Sequence, residues 1–175
     1  SNHEVMNGIL QQEVVPSQEV TQCLIPVGTG NDWIRTHNLP RDIDTIIQNI
    51  KSGKRQLQDV GKATFQTQEG EDERYFINVA GLAYDAFIAQ QMNNNPKVVR
   101  NKLVYFYLIL RCLFQYKPQN TRITFDNQIL ENQYYTINIG VCKYSGGGMQ
   151  FVPQAVPNDG FFALTTVGSM PVLGV

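Results

Sequence analysis

The chain has 175 residues, of which 42% are hydrophobic and 17% charged, a composition typical of a globular protein with one or two domains. Its net charge of −1 gives no electrostatic reason to expect nucleic acid as a partner, because nucleic-acid-binding proteins usually present a basic face. The cysteines Cys23, Cys112 and Cys142 lie far apart in apolar surroundings, which predicts reduced core thiols in a cytoplasmic protein, with neither disulfides nor a metal site.

The first third of the chain alternates predicted helices with one predicted strand, as in an α/β layer. Apolar residues recur at helical spacing over residues 3–10, and Gly8 inside that helix predicts a close packing contact. Residues 24–27 form a short apolar run that predicts a buried strand. A later helix begins at Asp42 or Asp44. Its apolar stripe consists of Ile43, Ile46, Ile47 and Ile50.

The predicted strand runs directly into Gly28, Thr29, Gly30, Asn31 and Asp32, here called the Gly28 loop. Glycines adopt conformations closed to other residues, and Asn31 and Asp32 are good N-cap residues for the short helix that follows. The N–H groups at such a junction favour anions, phosphate above all, and Asp32 indicates a divalent cation beside the phosphates. A plain tight turn is the alternative, and the spacing alone does not decide between them.

From Lys54 onwards the pattern predicts mostly antiparallel β structure with two inserted helices. Strands are predicted at residues 56–60, 62–68, 74–79, 121–125, 134–142 and 161–167. A charged hairpin tip is predicted at residues 69–72 and a turn at 157–160. The glycine-rich residues 145–148 predict a loop, or a place where the backbone closely approaches another group.

The densest apolar run covers residues 103–110 and is bracketed by Lys102 and Arg111. It is too short to span a membrane, which needs roughly 20 apolar residues. A helix largely buried against a sheet is the simpler interpretation, and a surface helix that touches a bilayer is the alternative. Tyr105, Tyr107 and Tyr116 suit either arrangement, with the rings buried and the hydroxyls at a wet edge.

Four stretches together resemble the diacylglycerol kinase catalytic family of bacterial lipid kinases, which are relatives of the sphingosine and ceramide kinases. They read His-Glu-Val-Met-Asn-Gly-Ile-Leu at 3–10, Ile-Pro-Val-Gly-Thr-Gly-Asn-Asp-Trp at 25–33, Phe-Ile-Asn-Val-Ala-Gly-Leu-Ala-Tyr-Asp-Ala at 76–86, and Gly-Gly-Gly-Met through Pro-Gln-Ala to Asp-Gly at 146–160. Each stretch alone is a weak signal. Four in the family's order and at plausible spacing are a strong one.

The resemblance implies an α+β protein with a partial α/β nucleotide-binding domain at residues 1–58, similar to that of the NAD and phosphofructo-type kinases. A mostly antiparallel, β-sandwich-like domain with inserted helices follows at residues 59–175, and the active site lies in the cleft between the two. The implied reaction is transfer of the ATP γ-phosphoryl group, with Mg²⁺, to a diacylglycerol-like or sphingoid-like hydroxyl at a membrane surface. A non-catalytic lipid-binding module and a soluble-substrate kinase related to NAD kinase are the alternatives.

The resemblance also assigns roles to individual residues. Nucleotide contacts fall to Glu4, Asn7, Gly28, Thr29, Gly30, Asn31 and Asp32, with Thr29 and Gly30 at the phosphates or ribose. Metal roles fall to Asp32, Asp59 and Asp159. Asn78 and Asp85 match family positions too, but strand-end hydrogen bonding and a helix cap explain these two residues at least as well.

Two parts of the family pattern lie outside these 175 residues. The Gly-Gly-Asp-Gly-Thr loop is expected immediately before His3, and the catalytic base in an Asp-Gly-Glu stretch beyond Val175. We therefore expect both ends to be cut, no catalytic residue within the chain and no activity from the fragment alone. A half-built first domain would expose strand edges and apolar faces, which favours association, for example as a homodimer. A cytoplasmic location is expected, with peripheral membrane association as an addition.

Overall fold

The computed structural model describes residues 2–28, 31–94 and 102–168. Five α-helices lie within them: α1 (Asn2–Gln11), α2 (Asp32–Thr36), α3 (Ile43–Lys51), α4 (Tyr84–Asn94) and α5 (Lys102–Gln115). The strands there are β1 (Gly61–Thr67), β2 (Gly70–Phe76), β3 (Val79–Ala83), β4 (Gln119–Phe125), β5 (Gln128–Gly140), β6 (Tyr144–Ser145), β7 (Met149–Gln150) and β8 (Ala163–Gly168). Helices therefore coexist with antiparallel sheets, and the predicted α+β class is confirmed.

The chain divides into two compact units. The first consists of the described residues of 1–80 and 139–163, and the second of those in 81–138 and 164–175. These sets differ from the predicted domains, residues 1–58 and 59–175, because the chain leaves the first unit and returns to it. Compactness alone does not test a domain boundary, so the predicted boundary stays a prediction.

In the first unit, β1 and β2 form an antiparallel hairpin whose register runs from Gly61 opposite Phe76 to Thr67 opposite Gly70. The most deeply buried side chains of this unit are Ile34, Val141, Cys142, Val152 and Ala155. Helix α3 begins as its sequence predicts, with the Asp42 carboxylate accepting a hydrogen bond from the Thr45 N–H at 2.9 Å.

In the second unit, strand β5 is central, with β3 and β4 on its two sides and β8 also paired to it. The β4–β5 hairpin turns at Asp126 and Asn127, which both have positive φ, as a two-residue hairpin loop requires. Tyr84, Cys112 and Tyr135 form the buried centre of this unit. Phe87, Ile88, Leu108, Leu113, Tyr116 and Val167 pack around them.

Two predicted strands are wrong. Residues 24–27 pair with no strand in the part of the chain that the structure describes, and Ile25 and Val27 are 53% and 88% exposed. Residues 56–60 pair with no strand among the described residues, because their polar groups form isolated hydrogen bonds with other segments. Gln58, for example, donates to the Ile77 carbonyl at 2.6 Å. In both segments the apolar residues were the right type for a strand, but no partner strand lies alongside among the residues that the structure describes.

Further local expectations need correction. The strand predicted over 74–79 breaks at Asn78, whose carbonyl accepts hydrogen bonds from the N–H groups of Val141 and Cys142. Gly8 meets no atom within 4 Å of the position its Cβ would take, so no close packing explains it. Cys23 is exposed rather than in the core. Of the isoleucines in the α3 stripe, Ile46 alone is buried.

Candidate functional site

Asp32 begins helix α2 and is only 8% exposed. Its Oδ2 atom accepts a hydrogen bond from the Gly147 N–H at 2.7 Å, although 115 residues separate the two in sequence. Its Oδ1 atom lies 3.6 Å from the Arg35 Nε on the next turn of the helix. Asp32 therefore joins the Gly28 loop to the glycine-rich segment, two of the four stretches that carry the family resemblance.

Residues Gly146, Gly147 and Gly148, here called the glycine turn, have φ values of +62°, +87° and +106°. Residues other than glycine rarely adopt these φ values, so the backbone conformation of the turn explains why its three residues are glycines. A Cβ on Gly148 would also lie 3.1 Å from the guanidinium carbon of Arg35. Both charged side chains of α2 therefore lie against this turn, with the carboxylate holding the backbone and the guanidinium covering it.

Asp59 holds a second turn in the same manner. Its N–H donates to the Pro157 carbonyl at 2.7 Å, and its Oδ2 accepts from the Gly160 N–H at 2.7 Å. Within the turn, Asp159 accepts a hydrogen bond from the Phe161 N–H at 3.0 Å. The structure thus brings Asp59 to the turn that contains Asp159.

Asn7 is buried on α1 and is used for the fold. Its amide donates to the Tyr75 carbonyl at 2.8 Å and accepts from the Tyr75 N–H at 2.9 Å, so it takes the place of a strand partner for β2. The amide also donates to the His3 carbonyl at 2.9 Å. Glu4 lies on the exposed side of the same helix. Nucleotide contacts by Asn7 and Glu4 stay a prediction, and for Asn7 little hydrogen-bonding capacity is left.

Part of the Gly28 loop can be placed. Thr29 and Gly30, predicted at the phosphates, lie outside the described residues. Asn31 occupies the N-cap position of α2, but its side chain makes no capping bond and instead donates to the Gly28 carbonyl at 2.5 Å. The predicted N-cap position of Asn31 is confirmed, but its amide bonds to the Gly28 carbonyl and not to the N–H groups of the helix.

Asn78 and Asp85 can also be located. The Asn78 carbonyl accepts hydrogen bonds from Val141 and Cys142 at the point where the predicted strand breaks. The buried side-chain Oδ1 of Asn78 has no hydrogen-bond partner among the described residues. Asp85 accepts a hydrogen bond from the Thr136 hydroxyl at 2.7 Å in the second unit. A Cβ on Gly81 would lie 2.9 Å from the Asp85 Cβ, so this glycine permits the approach. A structural role accounts for Asp85.

A polar cluster that sequence reasoning missed lies beside α2. The Trp33 indole donates to Gln58 Oε1 at 2.7 Å, and Trp33 packs against His37 with ring centroids 4.5 Å apart. The Cys142 Sγ lies 3.8 Å from His37 Nε2 and 3.3 Å from the Ile77 carbonyl oxygen. No spacing in the sequence announces this cluster, because Cys142 and His37 lie 105 residues apart.

The Cys142–His37 pair is not a nucleophilic site. Burial raises the pKa of the Cys142 thiol to about 11 and lowers the pKa of His37 below its ordinary value. Cys142 is also fully buried. A cysteine acts as a nucleophile through its thiolate, and at neutral pH this thiol keeps its proton. The cluster therefore serves to hold α2 in place.

The described residues do not form a magnesium site as they stand. Mg²⁺ prefers several oxygen ligands in octahedral geometry. Each of the three predicted ligands, Asp32, Asp59 and Asp159, already has an oxygen that accepts a main-chain hydrogen bond. No group of three or more His, Cys, Asp and Glu side chains able to hold an ion occurs in residues 2–28, 31–94 and 102–168. The metal roles stay a prediction.

Two family models match the chain. The model of the diacylglycerol kinase catalytic domain matches residues 2–63. The model of the YegS C-terminal NAD kinase beta sandwich-like domain matches residues 78–173, more than half of the chain. The chain belongs to the diacylglycerol kinase family. The family resemblance inferred from four short stretches of the sequence is thereby confirmed.

Individual relatives agree. The diacylglycerol kinases of Staphylococcus saprophyticus and of Staphylococcus epidermidis strain RP62A are 29% and 30% identical to it over 165 residues. Each alignment covers 94% of this chain, and 50% and 48% of the respective relative. A crystal structure of a diacylglycerol kinase from Bacillus anthracis shares the fold, with a TM-score of 0.64 at 23% identity over 96% of this chain and 51% of that one. The chain spans about half the length of these relatives.

Proposed function

We propose that this chain serves the ATP-dependent transfer of a phosphoryl group to the hydroxyl of a lipid alcohol, diacylglycerol-like or sphingoid-like, at a membrane surface. One observation carries the proposal. Two carboxylates from the first 60 residues, Asp32 and Asp59, hold the turns at Gly147 and Gly160 by hydrogen bonds of 2.7 Å. Motifs that are far apart in the sequence are therefore parts of one arrangement, as a shared nucleotide site requires.

The described residues fit the positioning part of phosphoryl transfer. That reaction needs little covalent chemistry from the protein, and its rate depends on holding phosphates and the attacking hydroxyl in line. Asp32 fixes the glycine turn against α2, and Asp59 fixes the turn at residues 157–160. In this proposal Gly28, Thr29 and Gly30 contact ATP, the phosphate donor that a kinase family implies. No step is assigned to a metal ion.

The 175 residues do not carry every part that the reaction needs. They contain neither a Gly-Gly-Asp-Gly-Thr loop nor an Asp-Gly-Glu stretch. We propose that the chain by itself supports no turnover, and that the activity belongs to a protein in which both motifs accompany it. A coupled assay with this chain alone is expected to remain at background.

Two rival functions make different predictions. The first rival is a kinase for a soluble nucleotide, which is favoured by the match of residues 78–173 to an NAD kinase beta sandwich-like domain. The second rival is a lipid-binding module without catalysis. The first rival predicts phosphate transfer to NAD, and the second predicts lipid binding that ATP does not affect.

The experiment is a chimera in which this chain replaces the aligned half of the Staphylococcus saprophyticus diacylglycerol kinase. The folded chimera receives labelled ATP with diacylglycerol in mixed micelles, with sphingosine in the same micelles, or with NAD in solution. We expect label in one of the lipid fractions. Label in NAD alone, or lipid binding without transfer, would assign the function to the corresponding rival.

A further inference from the structure

Helix α5 has an apolar face that the second unit leaves exposed. Tyr107, Leu110 and Phe114 are 64%, 40% and 72% exposed. Spacings of three and four residues place them along one side of the helix. The opposite side carries Cys112, at the centre of the buried cluster, and Tyr116, which packs against that cluster. The helix therefore has two apolar faces, and one of them is not needed for the core.

The sequence around this helix has one sign of charge. Residues 86–125 contain no Asp or Glu, although the chain has 15 in total. The same stretch carries six basic residues, namely Lys97, Arg100, Lys102, Arg111, Lys117 and Arg122. Arg111 and Lys117 are exposed, and Arg122 is paired with Glu131. In a chain with a net charge of −1, the exposed face of α5 thus lies within a stretch of sequence whose charged residues are all basic.

The dimensions of α5 suit the surface of a bilayer rather than its interior. A helix of 14 residues is about 21 Å long, against about 30 Å for the hydrocarbon core. Within the described residues no helix is both long and apolar enough to cross a membrane. Aromatic side chains such as Tyr107 and Phe114, flanked by Arg and Lys, are typical of helices that lie in the interface plane.

We propose that the face of α5 formed by Tyr107, Leu110 and Phe114, with Arg111 and Lys117 beside it, docks on a bilayer that contains anionic lipid. The apolar side chains would enter the boundary between head groups and acyl chains, and the cations would meet lipid phosphates. A second copy of this chain fits the face less well, because Arg111 and Lys117 of one copy would oppose the same cations of the other, and α5 carries no Asp or Glu to neutralise them.

The inference rests on the proposed function in one respect, because a membrane lipid as substrate gives the chain a reason to bind a bilayer. Its test is independent, because vesicle binding needs neither ATP nor turnover. The chain is sedimented with vesicles of phosphatidylcholine alone and with vesicles that also contain phosphatidylglycerol. We expect binding to the anionic vesicles that weakens as salt is raised, and much weaker binding to the neutral ones.

Variants separate the two contributions. Combined replacement Tyr107→Gln, Leu110→Gln and Phe114→Gln is expected to lower the partition coefficient on anionic vesicles more than tenfold. Arg111→Gln is expected to lower it about fivefold, as one basic residue near an anionic surface predicts. Ile129→Gln is the matched control, because Ile129 is apolar, 56% exposed and in the same unit, but lies outside the basic stretch. Its partition coefficient is expected to stay at the parent value.

A second readout guards against loss of folding. Phe114→Trp retains an aromatic side chain at the most exposed of the three positions, and its fluorescence should shift to the blue on anionic vesicles. Unchanged fluorescence with vesicles present, or equal binding by the parent and the triple variant, would overturn the proposal. So would a triple variant that loses self-association in light scattering while it still sediments with the vesicles, because the face would then serve a second copy of the chain.

Discussion

Asp32 and Asp59 each use a carboxylate to fix a glycine-containing turn more than a hundred residues away in the sequence. The residue types gave a correct hint, because an aspartate after a glycine loop is unusual for simple anion binding. The partners could not be read from the sequence, since Gly147 and Gly160 are brought to these carboxylates only by the folded chain. The structure has a main-chain N–H at each of these carboxylates, and their metal roles stay a prediction.

Asp32 allows acceptor and charge to be separated. Asp32→Ala leaves the Gly147 N–H without its acceptor, which is expected to lower the free energy of unfolding by about 1–3 kcal/mol. Asp32→Asn keeps an acceptor oxygen, and the exposed Arg35 contributes little, so a loss below about 1 kcal/mol is expected. Urea denaturation of both variants measures the difference. Equal losses would contradict the role assigned to this hydrogen bond.

His37 predicts a pH dependence of stability. Burial lowers the pKa of His37 in the folded chain below the ordinary 6.5, and its hydrogen bond with Gln58 acts in the opposite direction. As the pH falls below about 6.5, His37 binds a proton in the unfolded chain before it does so in the folded chain. The free energy of unfolding therefore decreases as the pH falls from about 6.5 to the pKa of His37 in the folded chain.

The measurement is the free energy of unfolding between pH 5 and 7.5 for the parent and for His37→Gln. The parent is expected to lose stability on acidification, and the variant is expected to lose less over the same range. A variant with the same slope as the parent would show that other groups cause the dependence.

At the scale of elements, the positions of helices were predicted more reliably than the pairing of strands. The sequence predicted α1 and α3 closely, because a helix bonds within itself, and of the two caps that it allowed for α3 the structure has Asp42. A strand needs a partner that the sequence does not name. Residues 24–27 have a strand's composition and lack that partner among the described residues.

The β1–β2 hairpin yields a prediction at Gly61. A Cβ there would overlap the ring of Phe76, its cross-strand partner, which also stacks on Phe162. Gly61→Ala must displace that ring and is expected to cost about 1–3 kcal/mol. Gly8→Ala is the matched control, since open space surrounds the new methyl group in α1, and it is expected to stabilise by about 0.5–1 kcal/mol. Thermal unfolding compares the two. A neutral Gly61→Ala would contradict the close ring contact.

At the scale of the whole molecule, the order of the motifs and the distribution of charge carry the functional reading. The four motif stretches were visible in the sequence, and the family models confirm the family that they indicate. The basic stretch at residues 86–125 was also visible, but its meaning depends on which face of α5 the core leaves exposed. That distinction needs the packing of Cys112 and Tyr116, so the sequence left a buried helix and a membrane-surface helix as alternatives.

The central claim is that this chain holds its separated motifs together for phosphoryl transfer to a lipid. The most direct test measures labelled phosphate passing from ATP to diacylglycerol, catalysed by the chimera with the Staphylococcus saprophyticus relative. The account predicts lipid-bound label from the parent chimera and a loss of at least tenfold in Asp32→Ala, with both proteins folded by circular dichroism. Full turnover in Asp32→Ala, or a folded parent chimera that transfers no phosphate to any lipid alcohol, would contradict it.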